Sequence, residues 1–579
     1  MARPSIDSAP DDSTPETPLL PRYRSDLAPS EGGEEKRPRR VRAARRKGPW
    51  ANPKDDEDDS GEYSGLRWMN GRRKVGCGAC AFSSARCILA ASILTLAVVL
   101  AALACLVYFQ HFWTVYRVYG DPLVPDPHEV EGMAERFPPI LARNTSAVED
   151  PVGPQAWRLQ AIEDELQARF SEMGLPGMTT LPCAGISAND TSLSSRYSAL
   201  RRTGPSQPRQ GKTLLALNLY NSQDVLPSLS HALLTVTSFL DPSTVHVSIF
   251  ENGSTDQTTL ALAHLAAALT ALGASHTILS DPRKTNWKAV DRITQLSVYR
   301  NVVLAPLERD QDFDDVVFVN DVFVCPSDVL ELVFQRKEQQ ADAACATDWI
   351  ANKGFAKTWN PSVRFYDSWV SRSLSGETFR RQEDFLATLR QGVNVLFDQP
   401  GEERYKARWD KGLPVPVYSC WNGLLALDAR PFTSTSISPR YDHSSSLSTA
   451  SHKSWSRDHP LVSDKPARFR SAVDNRGECA ASECKLIAKD FWSRGFDRWL
   501  IVPSVRVTYS EPVYSNPDLL SLVARHPPSP SPSLDNEERI DWPSYTSPEE
   551  VVCWAWTPGP HVDFEWARAV WEKPYQTAA

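Results

Sequence analysis

The chain is poor in cysteine for its length, with 11 in 579 residues. That excludes a disulfide-dense miniprotein in which cross-links replace a core. An excess of one charge is also missing. The 63 basic side chains against 71 acidic ones leave a net charge of -8, so the whole chain is no nucleic-acid binder by charge. A phosphate-loop motif is absent. Gly211-Lys212-Thr213 supplies the triplet, but position 206 is serine where that loop needs glycine, and the triplet precedes a strand pattern instead of following one. Zinc spacing is absent too, because Cys77 and Cys80 have no second pair or histidine to complete a site; juxtamembrane acylation is the other reading of that pair. Proline outnumbers glycine, 45 to 27, which points to long irregular segments. The length, with 41% hydrophobic residues, allows a large buried core.

Residues 1–86 are rich in Pro, Ser and Gly and show no sustained apolar period, which predicts a disordered cytosolic tail. The densest basic run, Lys36 to Lys47, reads as a solvated stretch lying near anionic lipid, with a nuclear-localisation signal as the weaker alternative. Residues 87–109 contain no charge, and 23 such residues are enough to cross a bilayer as one helix. Arg67, Arg72, Arg73, Lys74 and Arg86 flank that run on one side, and only Arg117 follows closely on the other. The positive-inside rule then predicts a single-pass type II anchor with everything beyond it luminal. The run is internal and lacks a small-residue cleavage site, which argues against a signal peptide.

Beyond the anchor, residues 110–212 are expected to form a luminal stem and linker. Leu159, Ile162, Leu166, Phe170 and Met173 make one apolar helical stripe. Packing on the enzyme domain is the commoner use of such a stripe, and homodimerisation through the stem is the alternative. Sequons occur at Asn144, Asn189 and Asn252. Seven cysteines are luminal on this reading, so an odd one remains, and spacing does not fix the pairing. Residues 511–579 read as a flexible spacer, HPPSPSPSLDNEER, followed by a tryptophan-rich segment that docks on the enzyme or binds sugar.

From Thr213 to Ser510 strand and helix patterns alternate, which predicts an α/β domain with a mainly parallel sheet. Ligands of such sheets sit beyond the strands' carboxyl ends. That directs attention to Tyr220–Asp224, Glu251–Asp256, Ser280–Lys284 and Asn320–Val322. ENGSTDQT, Glu251 to Thr258, follows a buried strand and opens a helix, with Ser254 and Gln257 fitting a capping box. Arg300-Asn301 lies on a helix before DDVVFVNDV, a strand that ends in Asn320-Asp321. Asp348 follows the next strand, and Trp421-Asn422-Gly423 falls in a later block. Each motif also has a plain structural reading: a capped turn, a strand terminus, a core aromatic.

These blocks resemble the nucleotide-sugar site of GT-A glycosyltransferases. With DRITQLSVYRNVVLAPL, FYDSWVSRSLSG, SCWNGLLALDARPF, SECKLIAKDFW and IVPSVRVTYS in order, the chain resembles the fungal capsule-associated α-1,3-mannosyltransferase family, glycosyltransferase family 69, over about half its length. The resemblance implies a GT-A-like fold and a Golgi enzyme that moves mannose from GDP-mannose onto a mannose-containing glycan with retention. Manganese, or magnesium, is implied at Asp321 with Asn320 helping. It further implies that Glu251, Asn252, Asp256, Arg300 and Asn301 serve the donor, that Trp421 and Asn422 face the acceptor, and that Glu483 and Asp348 are carboxyl groups near the reacting centre. A Ser-rich insert at 431–466 departs from the family pattern. Two other readings fit the same residues: a transferase with a different nucleotide sugar, or a non-catalytic organiser of polysaccharide synthesis or export.

Overall fold

The computed structural model describes residues 137, 139–140, 155–183, 191–201, 211–287, 290–310, 312–351, 363–380, 396–433, 466–472, 478–516, 531, 533–555 and 569–574. The expected cytosolic tail, the expected membrane anchor at 87–109 and all but the edges of the 431–466 insert lie outside them. No helix among the described residues is long and apolar enough to cross a membrane.

The alternation seen in the sequence becomes β1 Lys212–Leu219, β2 Val245–Glu251, β3 Ser275–Ser280, β4 Phe313–Val319 and β5 Ala343–Ala351. Between and beside them run α1 Gln155–Glu172, α2 Leu226–Leu240, α3 Thr258–Leu272, α4 Arg292–Val303 and α5 Pro326–Glu338. Each helix has a local cause. A proline in the first turn of α2 presets its entry. Asp291 caps α4 by accepting from the Thr294 amide at 2.8 Å. Gly273, at φ 82°, closes α3 in the left-handed conformation. The later strands are β6 Val363–Phe365, β7 Arg372–Ser373, β8 Val415–Ser419, β9 Leu424–Asp428 and β10 Trp499–Thr508. Helices α6 Glu403–Asp410 and α7 Glu483–Trp492 flank them, and β11 Val551–Trp554 with β12 Ala569–Glu572 forms a separate hairpin.

Ten strands make one sheet in the order β3-β2-β1-β4-β9-β5-β10-β8-β7, with β6 on β5. The first four are mutually parallel, as expected. The second half is mixed. β9 enters antiparallel between β4 and β5, β10 runs parallel to β5, and β6, β7 and β8 add antiparallel pairs. β1 has β2 on one side and β4 on the other, so the strand order reverses there. The crevice beyond that reversal is where such sheets hold ligands.

The expected boundary at residue 213 divides segments that pack together. The α1 stripe faces inward, burying Ile162, Leu166 and Phe170 against α2 and α3. That use of the stripe is the domain-packing alternative. Arg196 is fully buried and pairs with Glu331 of α5 at 2.7 Å and with Glu538 at 2.9 Å. Glu538 belongs to the stretch read as a flexible spacer, so the described part of that spacer is docked. Trp542 continues the docking by donating to the Gln339 carbonyl at 2.6 Å. The β11–β12 hairpin also sits on the enzyme domain. Val552 bonds to Gly376, and Glu572 takes Lys485 and Lys489 of α7 at 2.7 Å each. Trp554 is buried while Trp571 is 48% exposed; Trp556 and Trp566 lie outside the described residues.

Three disulfides join Cys183 to Cys325, Cys345 to Cys420 and Cys479 to Cys553. Among the described residues Cys484 is the free cysteine, and it is buried.

Candidate functional site

Three loops at the carboxyl ends of β1, β2 and β3 are stapled together. Asn221, at φ 48°, donates its amide to Ser254 Oγ at 2.8 Å and accepts from the Thr255 amide at 2.9 Å. The Gln223 amide reaches Asp256 at 3.2 Å, and Asp256 also accepts from the Thr258 amide at 2.9 Å. Ser254 is thus a staple and not the expected helix cap, since α3 begins at Thr258 with Gln257 before it. Gly253 stands at φ 82°, and a Cβ there would lie 2.4 Å from the Arg283 carbonyl oxygen, so only glycine lets the second and third loops meet.

Glu251 and Asn252 sit beneath this surface. Glu251 is buried and accepts from the Ser254 amide and from the Ser280 hydroxyl. Asn252 is buried and accepts from Asn218 at 3.1 Å. Both therefore shape the donor loop from below. Asn301 is likewise committed: its amide donates to the Phe469 carbonyl at 2.8 Å and accepts from the Phe469 amide at 2.9 Å. It pins the 466–472 segment to α4 and is fully buried beneath it.

The densest polar constellation lies at the end of β4. Asn320 and Asp321 turn the chain, with the Asn320 amide on the Gly423 carbonyl and the Phe323 amide on the Thr508 carbonyl. The turn at Asn422 and Gly423, φ 55° and 73°, brings the preceding indole alongside. Trp421 donates to Asn320 Oδ1 at 3.2 Å, and Asn320 donates to the Tyr509 hydroxyl at 3.1 Å. Across the same indole lies Arg300, its guanidinium carbon 4.1 Å from the ring centre and its Nε bonded to Glu483 at 2.9 Å. Asp321, Asn320, Trp421, Arg300 and Glu483, far apart in sequence, are thereby collected. Trp421 is buried by these contacts and does not present a free face for a sugar.

Asp348 and Asp367 form a second, deeper group. Asp348 is buried, and the Asp367 amide donates to it at 3.0 Å. Burial, then the neighbouring Asp367 carboxyl, pushes its pKa well above the ordinary carboxyl value. Asp367 itself accepts from the Val370 amide at 3.0 Å and the Asn422 amide at 3.3 Å, and burial raises it also. Asn422 donates to the Ala346 carbonyl at 2.7 Å and accepts from Ser371, so it is a buried brace. Tyr509 and Tyr366 meet edge to face at 5.7 Å between the two groups, and burial raises the Tyr509 hydroxyl's pKa further still with Asp321 nearby. Sequence reasoning missed Tyr509; its one signal was a polar aromatic at the end of a buried strand.

Among the described residues, Cys479, Cys553 and Glu572 form a close set of potential metal ligands, but the two sulfurs are bonded to each other. The half-exposed carboxylate of Asp321, beyond a strand end, is a hard-oxygen donor of the kind that holds Mn²⁺ or Mg²⁺ with a substrate's phosphates. A mixed sheet with a strand-order reversal, a stapled loop layer above it, and the Asp321 carboxylate near an aromatic-backed guanidinium fit a glycosyltransferase.

The comparisons agree. The family model described as "Cryptococcal mannosyltransferase 1" matches residues 212–490. Alpha-1,3-mannosyltransferase CMT1 of Cryptococcus neoformans var. neoformans serotype D is 29% identical over 404 residues, 66% of this chain and 75% of the relative. Over residues 212–490 the chain resembles the fungal capsule mannosyltransferase family, and this homology supports a mannosyltransferase. Solved structures show fainter likeness. Staphylococcus aureus TarS 1–349 aligns at 11% identity and TM-score 0.27, over 54% of this chain and 64% of that one. Mannosyltransferase PcManGT from Pyrobaculum calidifontis, in complex with GDP-Man and Mn2+, aligns at 12% and 0.21, over 47% and 57%. Likeness this faint leaves the site to be read from the chain's own residues.

Proposed function

We propose that the chain transfers mannose from GDP-mannose in α-1,3 linkage to a mannose-containing glycan, with retention. The observation that carries this reading is the Asp321–Asn320–Trp421–Arg300 constellation beside the sheet's strand-order reversal. The relative's printed activity supports the sugar and the linkage. An α-linked donor giving an α-linked product keeps the anomeric configuration.

Asp321 would hold Mn²⁺ or Mg²⁺, which supplies positive charge to a departing diphosphate. Asn320 keeps the Asp321 turn in register by bonding Trp421 and Tyr509 at once. The stapled loops at 220–224 and 251–256 form a floor for the nucleoside. Residues 87–109 would anchor the enzyme in the Golgi membrane with this domain luminal; three disulfides support an oxidising compartment.

The test uses the full chain in detergent with GDP-mannose, competing nucleotide sugars, Mn²⁺ and a mannobiose acceptor. Transfer from GDP-mannose should dominate, the product should be α by NMR coupling, and Asp321→Ala should lower kcat by on the order of 10²-fold. Robust transfer from a UDP-sugar alone would sink the donor assignment.

A further inference from the structure

Arg300 stands out as a cation held with unusual care. Its side chain is only 12% exposed. Its face lies on the Trp421 ring at 4.1 Å, with Phe469 at 5.8 Å. Its Nε is spent on Glu483 at 2.9 Å. Its two Nη groups have no partner among the described residues, and neither is among the buried, unsatisfied atoms, so both remain reachable from solvent. Glu483 cannot move freely to another task, because its second oxygen accepts from the Ser482 hydroxyl at 3.1 Å. It is itself buried and fixed at the first residue of α7.

An arginine with its face and Nε fixed by the protein presents a preformed two-pronged donor edge. Such an edge matches phosphate oxygens. The edge also lies across one indole from Asn320, the neighbour of Asp321, since the Trp421 N–H bonds Asn320 while its ring carries the guanidinium. An anion reaching between them would meet a metal-binding carboxylate on one flank and a guanidinium on the other.

We propose that Arg300 binds an anionic oxygen of the donor's diphosphate through its Nη edge, and that Glu483 and Trp421 are positioning residues acting through Arg300. The proposal rests on the nucleotide-sugar reading above. It reassigns Glu483, which is the partner that aims the cation and not the carboxyl group that meets the sugar. It reassigns Trp421 as the shelf beneath the cation. As glycosyl transfer breaks the bond from the anomeric carbon to the diphosphate oxygen, the electron pair leaves on the diphosphate, and Arg300 stabilises that charge without gaining or losing a proton.

The experiment measures binding of GDP and of guanosine to the full chain by calorimetry, with EDTA present so that no metal contributes. The wild type should bind GDP more tightly than guanosine. Arg300→Ala should weaken GDP about tenfold or more and leave guanosine unchanged. Arg300→Lys, which keeps the charge, should fall between, and guanidinium ion should restore part of the loss in Arg300→Ala. Glu483→Gln keeps an acceptor for Nε and should retain kcat within about tenfold, whereas removing a reacting carboxyl would cost on the order of 10³-fold or more. A GDP-to-guanosine ratio unchanged in both Arg300 variants overturns the proposal. Glu483→Gln that abolishes turnover with GDP affinity intact overturns the positioning role. A wild type that prefers UDP to GDP defeats the donor reading alone, and the same ratio taken with UDP and uridine then decides the Arg300 contact.

Discussion

At the residue scale, Asp328 shows how a buried carboxyl group writes a pH dependence into the fold. Its Oδ2 accepts from the Cys325 amide at 2.9 Å and from the Tyr514 hydroxyl at 2.6 Å, yet burial dominates and pushes its pKa up to about 6. The folded chain therefore binds this proton more tightly than the unfolded chain does. The resulting stabilisation is complete below the ordinary carboxyl value and is lost as pH rises through about 6. Its size is roughly 3 kcal/mol. Asp328→Asn removes the titration, so melting curves between pH 4 and pH 7 should show the variant gaining on the parent as pH rises. A constant difference across that range would show that Asp328 does not titrate there. The site residues were legible in the sequence as types near strand ends, but their orientations were not. Asn301 and Asn422 read as ligand-facing amides because nothing local reveals that Phe469, Ala346 and Ser371 consume them. Trp421 read as a sugar platform because the guanidinium above it comes from 121 residues earlier in the chain.

At the scale of elements, α1 and the 191–201 segment behave as parts of the enzyme domain. A chain beginning at residue 213 would expose the surfaces that α1 covers and would remove Arg196 from between Glu331 and Glu538. Such a chain should be insoluble or aggregate, while one beginning near residue 130 should yield a cooperative thermal transition. Arg196→Ala alone should cost roughly 3–5 kcal/mol by denaturant unfolding, because it leaves buried carboxylates without their cation. The parallel strands and their helices were readable because each is a local hydrophobic period with a cap or turn. What the sequence hid was non-local: β9 inserted between β4 and β5, and the docking of a proline-rich stretch by one glutamate. Neither has a periodic signature, since both are settled by partners 80 or more residues away.

On the scale of the whole molecule, two cross-links end close in sequence to site residues. Cys183–Cys325 closes a span of 142 residues and ends four residues after Asp321, while Cys345–Cys420 ends one residue before Trp421. Replacing both cysteines of either pair by alanine should cost about 2–5 kcal/mol of stability. Each replacement should also lower kcat in whatever folds, which is read by comparing melting temperature with turnover. Helix α7 carries a broader consequence. Its first residue aims Arg300, and two further residues along it, Lys485 and Lys489, hold Glu572 of the C-terminal hairpin. The helix is thus a rigid strut between the anion-binding edge and a hairpin near the chain's end. Thermodynamic reciprocity then applies: whatever steadies one end must favour the other. GDP binding should slow amide exchange in 551–554, and a glycan or protein that grips the exposed Trp571 would alter how tightly the enzyme holds its leaving group.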